Sequence, residues 1–178
     1  PVRALRFAPD GKSLITAAGS GGHKGTVQSW SLAAADASAD TVLAKDSKGV
    51  EQFALTSDGR WLFTTSQEPS LRVRDLSAGE EDEAGRVLDG QTSPVQALAV
   101  SANNRWLATA GTDNTVRLWD AETGQEIRQF IGHSDRVNGV AFSPDSTMAL
   151  ASSVGTSRTL QVRWQVSATM LWAVPPWM

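Results

Sequence analysis

His23 and His133 are the only two imidazoles in the chain, and it has no cysteine. Any acid–base, metal or nucleophilic chemistry must therefore be assembled from carboxylates, lysines, hydroxyls and those two rings. Disulfides and thiolate metal sites are excluded, and two histidines cannot build a histidine-rich cluster, although carboxylate sites stay open by count. The stretch GSGGHKGT at 19–26 has the glycines and lysine of a phosphate cradle. Its spacing is wrong, because the cradle needs Gly-Lys followed by Ser or Thr and a helix, whereas Lys24 precedes Gly25. The dinucleotide pattern fails as well, since Lys24 stands where the third glycine belongs. The stretch reads as a turn between strands, with His23 and Lys24 left for an anion or partner contact. The run EEDE at 80–83 lacks the alternating ligands and glycine of a calcium loop and reads as a solvated hairpin tip. His133 has no G-x-S-x-G nucleophile pattern to serve. The expectation is a protein with no cofactor, no metal and no catalytic residues.

The 178 residues are 40% hydrophobic and 20% charged, which suits a globular chain with one sizeable core. A formal charge of −3 supplies no net basic field for nucleic-acid phosphate. No apolar stretch approaches the roughly 18–20 residues of a membrane-spanning helix. The chain starts at Pro1, which reads as a truncated N-terminus, and the cytoplasm is the expected location.

The elements that would position any site come in a repeat. TVQSWSL at 26–32, SLRVRDL at 70–76, TVRLWDA at 115–121 and TLQVRWQ at 159–165 align, placing Trp30, Arg74, Trp119 and Arg163 at spacings of 44, 45 and 44 residues. Upstream of each lies a second recurring piece: FAPDGKSLITAA, LTSDGRWLFTTS, VSANNRWLATAG and FSPDSTMALASS. Each reads as a strand end, a tight turn on Asp-Gly or its equivalent, and another short strand. DAETGQEIRQF then adds a turn and a fourth strand, as does LSAGEEDEAGRVLD. Each unit is thus a four-stranded antiparallel meander. VQALAV and WLATA are apolar on both faces, so the sheets must be covered on both sides, as they are when small sheets stack radially.

These residues resemble the WD-repeat β-propeller family over residues 2–166. LATAGTDNTVRLWDAETGQEIRQFIGHSDRVNGVAFSPD follows that family's pattern through a whole repeat and into the next. The resemblance implies an all-β propeller with four visible blades at approximately 1–44, 45–89, 90–131 and 132–166, forming part of a larger ring. Residues 167–178 are a non-repeat tail or a poor last strand. It also implies, within each blade, a hydrogen-bonded network of a His, a Ser or Thr, an Asp and the Trp. The third unit offers Thr109, Asp113 and Trp119, with Gln91 in the His position. The fourth offers His133 and Ser152, with Ser157 and Arg163 in the Asp and Trp positions. The second has Asp46, Thr64, Glu68 and Arg74, of which Thr64 alone fits, and the first has Thr16 and Trp30. Trp119 is then architecture, with Asp113 as its network companion.

Members of the family usually present a rigid platform to a protein or peptide. The expectation is a non-catalytic scaffold that binds through the loops sharing one face, with Lys24, Lys45, Asp46, Gln67, Thr112, Asp135, Arg136 and Arg158 as candidate contacts. The alternative is an accessory or sensor propeller of a larger, bacterial multidomain enzyme. Open blade edges further suggest self-association.

Overall fold

The computed structural model describes residues 1–19, 24–33, 39–78, 85–154 and 159–165. The His23, EEDE, Ser157, Arg158 and tail readings lie outside those residues. The fold is four antiparallel meanders. The first comprises β1 (Val2–Phe7), β2 (Ser13–Ala18), β3 (Gly25–Ser31) and β4 (Ala39–Asp46). The second comprises β5 (Gln52–Leu55), β6 (Trp61–Thr65), β7 (Leu71–Asp75) and the two-residue β8 (Arg86–Val87). β9 (Val95–Val100), β10 (Trp106–Gly111), β11 (Thr115–Asp120) and β12 (Glu126–Ile131) form the third. β13 (Val137–Phe142), β14 (Met148–Val154) and β15 (Thr159–Gln165) form the last, three-stranded among the described residues.

The turn between the first two strands of each sheet is built the same way four times. Gly11, Gly59, Asn104 and Ser146 hold φ near +60 to +75°, and each sends its N–H to the carbonyl three residues back. The side chain before each of them, Asp10, Asp58, Asn103 and Asp145, accepts the N–H two residues on at 2.9–3.1 Å. A local side-chain acceptor thus closes the turn, which is why Asp and Asn recur there. Where glycine is absent the αL residue reaches the neighbouring sheet. Asn104 Oδ1 accepts from Ser57 N and Oγ at 2.7 and 2.9 Å, and Ser146 Oγ accepts from Asn103 N at 3.0 Å. These bonds offset the cost of a non-glycine residue at positive φ.

Stacking of the sheets generates three apolar layers. Ile15, Ala17, Val27 and Ala44 of the first sheet meet Val50, Phe53 and Leu62 of the second. Ala54, Phe63, Leu71, Val73 and Leu88 of the second meet Leu98, Leu107, Trp119 and Ala121 of the third. Ala108, Ala110 and Val116 of the third meet Val137 and Ala151 of the fourth. Both faces of the two middle sheets are covered, as the doubly apolar strands require. The outward face of the first sheet is not, and Val2, Leu5 and Phe7 are 60%, 55% and 68% exposed. The first strands of successive sheets, β1, β5, β9 and β13, adjoin one another in chain order along the inside of the array.

Candidate functional site

The tryptophan on the third strand of the third sheet, Trp119, is a buried wedge between sheets. Trp119 is fully buried and donates its indole N–H to Thr109 Oγ1 at 2.9 Å, and Thr109 in turn donates to Gln91 Oε1 at 3.2 Å. Gln91 thereby fills the acceptor role of the expected His, and its Nε2 donates to Ser93 O at 2.8 Å. Gly90 beside it has to be small and flexible, because its φ is +115° and a Cβ there would approach Glu126 Oε2 to 2.9 Å and the Trp119 ring to 3.4 Å. The first sheet repeats the central bond, with Trp30 Nε1 on Thr16 Oγ1 at 2.9 Å. In the second, Thr64 is buried at the equivalent position, and Arg74 replaces the indole and sends its Nη1 to Leu43 O of the first sheet.

Two network expectations are corrected. Asp113 is not the companion of Trp119. Its carboxylate takes Arg117 Nη1 at 2.9 Å, Thr115 Oγ1 at 2.8 Å and Thr92 Oγ1 at 3.2 Å. With a glutamine in place of the imidazole, no ring N–H is aimed at the carboxylate, and a buried guanidinium supplies the donors instead. Burial on its own would raise the Asp113 carboxyl, but the Arg117 and Thr115 hydrogen bonds outweigh it and hold the group below its ordinary value. Ser152 is likewise one residue out of register. Ala151 pairs with Val140 as Thr109 pairs with Leu98, so Ala151 takes the threonine's place. The hydroxyl on His133 Nδ1, at 2.9 Å, is that of Ser153. A one-residue slip in a strand moves a side chain to the other face.

Burial pushes the His133 imidazole below its ordinary value of 6.5. The neutral ring is then the folded form. Its contribution to stability is full above about pH 6.5 and is lost as pH falls through the window beneath. Replacing His133 by Gln, the residue that serves in the third sheet, should flatten the fall in Tm between about pH 7 and pH 5. An unchanged pH slope in a circular-dichroism melt would remove His133 as its source.

The loops at the starting ends of β5 and β9 and the finishing end of β6 enclose a cavity of about 390 Å³ at one mouth of the inner array. Arg3, Glu51, Gln52, Ser66, Gln67, Pro94, Val95 and Gln96 line it. Glu51 is held from two sides, by Gln67 Nε2 at 3.0 Å and by the Arg3 guanidinium at 3.6 Å. Gln52 ties the second sheet to the third through a 2.7 Å bond to Gln96 O. Among the candidate contacts that fall on described residues, Gln67 alone lines this cavity. Lys24, Thr112 and Arg136 are exposed on the loops at the same end of the sheets, Lys45 is exposed near the end of β4, and Asp135 is half-buried, accepting Arg136 N at 2.7 Å. Asp46 is corrected: its side chain is 8% exposed and pairs with Arg72 at 3.0 Å, so it is not presented to a partner. The sequence reading passed over Arg72 and Arg117, yet both stand at the same step of SLRVRDL and TVRLWDA, and that recurrence was the available signal.

Stacked antiparallel meanders with inner first strands and a tryptophan wedged between the second and third sheets are blades of the β-propeller class. The sequence profile of the family "WD domain, G-beta repeat" matches residues 83–120 and 124–162, and these two stretches are WD repeats. None of the curated proteins matches the chain. WD repeats generally mediate protein–protein interaction, and domains built from them are typically non-catalytic. No helix among the described residues is long and apolar enough to cross a membrane.

Proposed function

We propose that this chain is a non-catalytic scaffold that holds a peptide segment of a partner protein over the mouth lined by Glu51, Gln67 and Gln96. The observation that carries the reading is the composition of that mouth. Three blades contribute side chains to it, and its polar groups are donors and acceptors fixed by neighbours, which suits recognition by hydrogen bonds without reorganisation. Lys24, Lys45, Thr112, Asp135 and Arg136, at the same end of the sheets, are the further candidate contacts, where charge would steer the approach of a partner.

The test begins with a peptide selected from a displayed random library on the immobilised chain. Gln67→Ala should weaken that peptide about tenfold or more if Gln67 is a central contact, and Arg136→Glu should act mainly on the association rate. Both variants should melt like the parent, because both side chains are exposed. Full affinity in both variants would refute the mouth as the binding surface.

A further inference from the structure

The opposite ends of the inner strands enclose a second cavity, of about 260 Å³, lined by Arg6, Phe7, Pro9, Ile15, Phe53, Leu55, Ser57, Val100, Ser101 and Ala102. It opens beside the turns between first and second strands, at the far end of β1, β5 and β9 from the mouth described above. Its walls are mostly apolar, with Phe7, the exposed last residue of β1, at their edge. The two hydroxyls are already committed. Ser57 Oγ donates to Asn104 Oδ1 at 2.9 Å; Ser101 Oγ donates to Asn103 Oδ1 at 2.7 Å and accepts Trp106 N–H at 2.9 Å. That leaves the exposed Arg6 guanidinium, which makes no hydrogen bond or ion pair among the described residues.

An apolar hollow with one uncommitted cation at its rim selects its ligand by two properties. The ligand must bring an apolar side chain to leave water and a carboxylate to meet Arg6. The volume falls below the roughly 300–1,000 Å³ of pockets for drug-sized molecules, which favours a side chain over a whole small ligand. We infer that this second mouth is a docking site for an acidic peptide segment of a partner protein, with an apolar side chain among Phe7, Leu55 and Val100 and a flanking carboxylate on Arg6. Such a site would let the array hold two partners at once, one at each end of the inner strands.

The test is a nitrogen–proton NMR titration of the intact chain with three capped peptides: Gly-Asp-Leu-Asp-Gly, Gly-Lys-Leu-Lys-Gly and Gly-Asp-Gly-Asp-Gly. The acidic leucine peptide should shift the amides of Arg6, Phe7, Leu55, Ser57 and Val100, and should bind about tenfold or more tightly than either of the others. Arg6→Glu should remove that preference and favour the lysine peptide, while Gln67→Ala, at the other mouth, should leave it intact. Arg6 is exposed and outside the apolar layers, so the charge reversal tests binding rather than folding. Equal binding of the three peptides, shifts confined to other surfaces, or an unchanged preference in Arg6→Glu would overturn the inference.

Discussion

Trp119→Ala should cost about 3–5 kcal/mol of stability, the range for deleting a fully buried aromatic side chain. The ring closes the layer between the second and third blades against Phe63, Leu71, Val73 and Leu88. Its removal also leaves the Thr109 hydroxyl without the indole donor that it now receives at 2.9 Å. Trp119→Phe separates the two contributions. It keeps most of the packing, loses the N–H, and should cost about 1–2 kcal/mol. Urea unfolding checks both. A loss under about 1 kcal/mol for the alanine variant would mean that the ring is not wedged between blades.

Arg117→Met should cost about 2–3 kcal/mol. Breaking a fully buried ion pair by removing one partner costs about 3–5 kcal/mol. The discount follows from the partners: Arg117 pairs with Asp113 at 2.9 Å and with Glu126 at 3.4 Å, whose side chains are 24% and 28% exposed, so water can partly replace the guanidinium. The variant should also respond differently to acid. In the parent, Asp113 is held below its ordinary value of 3.8. Its contribution is therefore present above that value and is lost only as pH falls below it. Without Arg117, burial dominates and the carboxyl rises above its ordinary value, so the ionised group destabilises the variant near neutral pH and the gap to the parent narrows as pH falls and the group takes up its proton. Urea midpoints measured from about pH 7 to about pH 3 read both effects. Equal midpoints for variant and parent across that range would contradict the assignment of Arg117 as the cation of this network.

Much of the architecture was legible because repetition reports it. The recurrence of Trp30, Arg74 and Trp119 fixes the period, and the Asp-Gly and Asn-Asn turns fix where strands reverse, so four meanders follow from local chemistry. The network was harder to read. Gln91 stands where an imidazole was expected, and sequence alone does not say that an amide oxygen will take the threonine hydroxyl while Asp113 turns to Arg117. Ser152 and Ser153 are adjacent, and which one meets His133 depends on which face of β14 each side chain takes, a choice that leaves no mark in the composition. The proposed binding mouth was legible only as a set of loops sharing a face. Glu51, Gln52 and Gln96 lie on or beside strands and are gathered by the ring-like ordering of β1, β5 and β9. That ordering depends on blade stacking and not on any local motif.

The most direct test of the account is hydrogen–deuterium exchange of the chain with and without its selected peptide. The account predicts slowed exchange at residues 50–52, 65–67 and 94–96, with β10 and β11 equally protected in both states because Trp119 and its neighbours are architecture. Protection that instead appears on the outer strands β8 and β12, with none at the mouth, would contradict it.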